Sequence, residues 1–131
     1  MADHLRTELV ADALRMAARN ITFTRDVTIF HSDRGTQYLS HEFAAVADEL
    51  GVLRSVGRTG ICYDNAWAES FNGTLKNERV YRTQYPTREH ARKDISRYIE
   101  LRYNQIRLHS AIGYRTPNEV ESQWLNQKNA A

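Results

Sequence analysis

A single cysteine, Cys62, occurs in the 131 residues, so no intrachain disulfide can form. That count fits a reducing, intracellular home. Apolar runs approaching the roughly twenty residues of a membrane helix are missing. The stretch from Met1 to Leu14 carries acids among its apolar residues, which argues against a signal or transit peptide. Internal repeats, low-complexity tracts, interdomain linkers and a recognisable helix-turn-helix are lacking too. With 41% hydrophobic and 26% charged residues, wholesale disorder is excluded, and one domain spanning 1–131 is expected.

A strong net charge is also lacking: the balance is only +2. Its distribution says more. Residues 1–69 hold 7 Lys/Arg against 10 Asp/Glu, a balance of −3, and residues 70–131 hold 11 against 6, a balance of +5. An acidic half and a basic half suit a protein acting on phosphates, although ordinary solvated helix faces explain the same counts.

Leu5, Leu9, Ala13, Leu14 and Ala17 predict an amphipathic helix from Asp3 to Arg19, with Asp3 as N-cap. Residues 26–30 read as a buried strand running into His31, Ser32 and Asp33. Ser40 caps a helix that ends at Gly51, and residues 52–56 form a second strand, giving a parallel βαβ unit. Residues 57–63 read as a loop. A helix from Asp64 or Asn65 to Tyr81 carries Glu69, and a long helix is expected from Arg88 to Leu108. Thr116 and Glu119 form a capping box for a helix over Asn118–Gln127, with a frayed end.

Two polar stretches carry the candidate chemistry: His31 to Tyr38 around Asp33, and Asp64 to Lys76 around Glu69. Asp33 sits at the C-terminal end of a strand, where open α/β sheets bind ligands. Two carboxylates can share divalent ions, and such ions suit phosphodiester chemistry. Alternatively, Asp33 caps a turn around Gly35, Glu69 favours its helix dipole, and Trp67 and Phe71 are core. His31 and His109 lack the paired spacing of a zinc motif.

Together these blocks, with the segment from Tyr103 to Pro117, resemble the catalytic domain of bacterial insertion-sequence transposases in the retroviral-integrase-like superfamily. The resemblance implies an α/β, partial ribonuclease-H-like fold, with a small parallel sheet and a helical C-terminal half. It implies Asp33 and Glu69 as catalytic metal ligands for Mg²⁺ or Mn²⁺. Arg34, Asn72, Lys76, Arg107 and His109 are the corresponding DNA-binding candidates, with helix termination and packing the alternative for the last two. Transposon ends and target DNA are the implied partners, in a bacterial cytoplasm at the nucleoid.

The family uses three acids, and the strand bearing its first aspartate is expected upstream of Met1. Little activity by the chain alone is therefore expected, with Asp64 a candidate substitute ligand. The alternative is a non-catalytic DNA-binding or subunit-associating remnant that modulates an intact transposase. A minimal sheet also leaves an unpaired apolar edge, so a homo-oligomer covering it is expected.

Overall fold

The computed structural model describes Met1, residues 4–57 and residues 65–130. The chain falls into two compact units, Met1–Asn72 and Gly73–Ala131.

In the first unit, helix α1 spans Thr7–Asn20 and buries Ala11 and Leu14. It starts later than its apolar pattern suggests. Arg6 occupies the N-cap without a side-chain hydrogen bond, and Asp3 lies outside the described residues. Strand β1, Ile29–Ser32, is displaced from the expected 26–30. The reason is a turn: the N–H groups of Val27 and Thr28 both donate to the Thr24 carbonyl, at 3.1 and 2.9 Å. Asp26 there adopts a φ of 58°, which no strand tolerates. Helix α2, His41–Glu49, opens as anticipated, with the Ser40 hydroxyl accepting the Phe43 N–H. Gly51, at φ 69°, supplies the left-handed residue that ends it.

Strand β2, Leu53–Val56, then pairs parallel to β1, from Ile29 opposite Leu53 to Ser32 opposite Val56. The described sheet has these two strands only. Ala11, Leu14, Phe43, Val46 and Ala47 form the core between α1 and α2, with Phe23, Phe30, Tyr38 and Leu50 packed against it. Helix α3, Ala66–Glu78, begins in the first unit and ends in the second. The loop reading of 57–63 concerns mainly residues outside the described set.

In the second unit, a 3₁₀ turn at Val80–Arg82 follows α3. Helix α4, Arg88–Arg97, is capped by Thr87. The long helix expected to reach Leu108 stops being α-helical at Arg97 and continues as a π-helical segment, Tyr98–Tyr103. Bonds five residues apart mark it and its exit: Asn104 N–H to Ile99 carbonyl at 3.0 Å, and Arg107 N–H to Arg102 carbonyl at 2.8 Å. The physical reason lies in Glu78. Its carboxylate accepts from both Tyr98 and Arg107. Nine residues apart, those two side chains would lie half a turn out of phase on a straight helix of about 3.6 residues per turn. The wider turn, continued by the five-residue bond at its exit, reconciles them.

Helix α5, Pro117–Asn129, carries the full capping box of Thr116 and Glu119, and extends two residues past the expected end.

Phe43 is 1% exposed and the largest fully buried side chain among the described residues. Phe43→Ala is expected to destabilise the protein by about 3–5 kcal/mol, read from urea unfolding by circular dichroism.

Candidate functional site

Asp33 leaves β1 directly into a turn held by short bonds. Its Oδ1 accepts the Gly35 N–H at 2.8 Å, and the Ser32 hydroxyl donates to the Asp33 carbonyl at 3.0 Å. Tyr38 N–H then donates to the Gly35 carbonyl at 3.0 Å, and the Ser40 hydroxyl to the Gln37 carbonyl at 2.9 Å. A Cβ on Gly35 would sit 2.6 Å from Gln37 Nε2 and 3.0 Å from Asp33 Oδ1, so a side chain there would disturb the turn. The turn and metal readings of Asp33 are thus compatible, because one oxygen closes the turn while the side chain stays exposed.

The turn is clamped at both ends. Phe30 precedes it and Tyr38 closes it. Their rings lie 5.3 and 5.6 Å from that of Phe43 and 5.9 Å from each other. Burial pushes the Tyr38 phenol up, and the neighbouring Asp33 carboxylate adds to the shift. His31 Nδ1 lies 3.0 Å from Ser55 Oγ across the two strands, which gives that histidine a structural partner.

Glu69 is exposed in the first turn of α3. Trp67 departs from the core reading, being 77% exposed. The Asn72 amide donates to the Ala68 carbonyl at 2.9 Å, one turn back on its own helix. Arg34 and Lys76 are exposed and carry no ion pair among the described residues. Asp64 and Cys62 lie outside the described residues. No cluster of three or more His, Cys, Asp or Glu side chains suited to a metal occurs among the described residues.

Within the second unit, two carboxylates act as internal anchors. Glu78 accepts the Tyr98 hydroxyl at 2.7 Å and Arg107 Nε at 2.9 Å. Tyr98 and then Arg107 and Arg102 hold its carboxyl below the usual range, and burial with the facing Glu78 pushes Tyr98 up to about 12. Asp94 accepts two bonds from the Arg79 guanidinium, one of them at 2.7 Å from Nε, and one from the Tyr85 hydroxyl, also at 2.7 Å. His109 stacks edge-on with Tyr103, ring centroids 4.6 Å apart, and its Nδ1 lies 3.3 Å from Arg107. Its backbone bridges to Arg115. Arg107 and His109 therefore have internal partners that account for their placement.

Sequence reasoning missed the Arg79–Asp94–Tyr85 cluster, since fifteen residues separate the ion pair and no motif marks it.

A model described as integrase core domain matches residues 50–117, and a second of the same description matches residues 1–62. The chain belongs to the integrase core domain family. Among relatives of this integrase core, the "Insertion element IS600 uncharacterized 31 kDa protein" of Shigella sonnei is 40% identical over 89% of the chain and 43% of its own length. The "Transposase for insertion sequence element IS904" of Lactococcus lactis is 35% identical over 92% of the chain and 47% of its own length. The chain thus spans under half the length of these curated relatives. The catalytic core domain of BIV integrase superposes with a TM-score of 0.69 at 21% identity, covering 98% of this chain and 78% of that one. The expected α/β, ribonuclease-H-like integrase fold is therefore present.

The anchors of this integrase core have a pH signature. The Arg79 hydrogen bonds chiefly, aided by Tyr85, lower Asp94 from 3.8 to about 2. A carboxyl lowered on folding stabilises above its unfolded value, so this contribution should be complete at neutral pH and vanish as pH falls from about 4 to about 2. Asp94→Asn is expected to cost about 1–3 kcal/mol at pH 7 and to flatten that acid limb, as measured by thermal melts across pH.

Proposed function

We propose that residues 1–131 act in DNA transposition, as part of a transposase catalytic core that cleaves and joins DNA strands with divalent metal. One observation carries the reading: an integrase-core chain exposes Asp33 at the C-terminal end of a parallel strand, within a turn clamped on the core. Asp33 and Glu69 are the proposed metal ligands. Neither carries an ion pair among the described residues. Their hard oxygen donors fit Mg²⁺ or Mn²⁺, which take one or two carboxylates and fill the remaining positions with water and phosphate oxygens. When bound, such ions would supply charge stabilisation and an activated oxygen nucleophile for phosphodiester chemistry.

The chain's own groups divide the remaining work. Phe30, Tyr38 and Phe43 hold the Asp33 turn, and Gly35 gives it room to close. Arg34 and Lys76 are proposed to meet DNA phosphates, with Asn72 alongside. Arg107 and His109 are proposed to act within the second unit, organising the segment from Tyr103 to Arg115 through their internal bonds. With two acids assigned where the family is expected to use three, the chain alone is proposed to have weak activity.

The same reading extends to assembly. β1 pairs with β2 along one edge, and Ile29 on it is 63% exposed. Beside it runs an apolar cleft of about 320 Å³ lined by Leu14, Phe23, Phe30 and Val52. Such an edge favours pairing with another copy, and a homo-oligomer is proposed.

The deciding assay is nicking and joining of labelled duplex DNA with Mn²⁺ at high protein concentration, together with Mn²⁺ binding by paramagnetic broadening. Asp33→Asn and Glu69→Gln should each abolish the weak cleavage and reduce Mn²⁺ binding. Unchanged binding and cleavage in both variants would overturn the ligand assignment. A folded parent that neither binds Mn²⁺ nor cuts DNA, yet binds DNA, would favour the remnant reading. For assembly, light scattering at micromolar concentration should give a multiple of 15.2 kDa that Ile29→Lys lowers. A monomer would end the proposal.

A further inference from the structure

A groove of about 500 Å³ lies wholly within the second unit, between the end of α3 and the face of α4 with its π-helical extension. Four arginines line it, Arg79, Arg82, Arg97 and Arg102, against two acids, Glu78 and Asp94. The acids do not neutralise it. Asp94 is satisfied by Arg79 and Tyr85, and Glu78 by Arg107 and Tyr98. Each carboxylate thus has one arginine in direct ion pairing, while Arg102 and Arg97 act on Glu78 and Asp94 only through space. Arg82, Arg97 and Arg102 carry no ion pair among the described residues and are exposed. The Arg82 Nε donates only to the Asn77 carbonyl, at 2.8 Å.

The π-helical segment forms the part of the groove wall that carries Arg102, directly after Arg97. Five residues apart, they would diverge by about 140° on a regular α-helix. Hydrogen bonding at five-residue spacing lengthens the turn, and both side chains line the same cavity. Segments of this kind recur at functional sites. The groove's lining also includes apolar patches, Leu101 at 46% and Ile106 at 59% exposure. Guanidinium forks that make no direct ion pair among the described residues, beside exposed aliphatic carbons, match a polymer that alternates phosphate with sugar. The unit as a whole favours such a partner: residues 73–131 hold 11 Lys/Arg and 6 Asp/Glu, a balance of +5.

We propose that this groove is a second nucleic-acid contact, separate from Asp33 and Glu69, in which Arg97 and Arg102, with Arg82, grip the sugar–phosphate backbone of duplex DNA without reading its sequence. The choice of DNA over another polyanion rests on the proposed function. The groove itself rests on the unpaired arginines.

The test is a salt titration of binding to a fluorescein-labelled 20-base-pair duplex of arbitrary sequence, without divalent metal. Each lost phosphate contact should make the slope of log K against log salt shallower by about 1, so Arg97→Gln with Arg102→Gln should lower it by roughly 2. Replacing both with lysine should largely restore it, because an ammonium still neutralises phosphate. A second duplex of unrelated sequence should give the same slopes. An unchanged slope in the glutamine double variant, shown folded by its melting curve, overturns the proposal, as does a parent chain that does not bind the duplex. If the double variant fails to fold, the two single variants are read in its place, with an expected loss of about 1 each. The outcomes separate from those of the cleavage assay. A slope change without Mn²⁺-dependent cutting sinks the catalytic reading and leaves the groove, whereas Glu69-dependent cutting with an unchanged slope sinks the groove alone.

Discussion

The packing of Phe30, Tyr38 and Phe43 is the constraint on which the first unit depends. Phe43 is the buried side of α2, Phe30 belongs to β1, and Tyr38 closes the turn between them. Asp33 sits in the stretch between two residues that must both reach Phe43. Its turn therefore cannot drift without exposing aromatic surface, a loss of the order of 1–3 kcal/mol for each ring. A loop carboxylate becomes as well positioned as one on a strand. The local bonds to Gly35 and from Ser32 then choose the side chain's orientation.

The second unit solves a related problem with charge. Its apolar content is thin, and Ala91 and Tyr98 are its buried hydrophobic residues among those described. Glu78 and Asp94 compensate by gathering partners from distant parts of the chain: Tyr98 and Arg107 on one, Arg79 and Tyr85 on the other. Part-buried carboxylates with two or three donors each define where the chain segments lie, even if their net contribution is modest. The π-helical turn follows from that geometry, since Tyr98 and Arg107 answer to one carboxylate.

What could be read from the sequence follows from the range of the interactions involved. Ser40, Thr116 and Glu119 announced their helices because a cap acts over three residues, and the parallel β1–α2–β2 unit followed from local order. The position of β1 was misjudged because Val27 and Thr28 look like strand residues while their N–H groups are taken by Thr24. The break in the helix after Arg97 was invisible for a different reason. It depends on Glu78, nineteen residues upstream of Arg97, and periodicity within 88–108 carries no record of that partner. Trp67 misled in the opposite sense, as an aromatic expected in the core that stands in solvent. For the candidate site, the motif blocks offer Asp33 and Glu69 as candidates, and both are exposed. The clamp that positions Asp33 emerged only with the fold.

The acids of this chain accordingly divide into two kinds, and the division bears on function. Glu78 and Asp94 are surrounded by donors that hold them ionised, with their oxygens already engaged. Asp33 and Glu69 are exposed, and no arginine or lysine among the described residues pairs with them. An acid that stabilises a fold is best saturated with donors, because each unfilled lone pair in a partly buried site is a cost. An acid that takes a divalent ion must keep oxygens available, and a resident guanidinium would compete for them directly. The basic residues are sorted by the same logic. Arg79 and Arg107 are consumed internally, whereas Arg34, Lys76, Arg97 and Arg102 carry no ion pair among the described residues. Which charged groups a fold leaves unpaired is thus as informative about its chemistry as which it brings together.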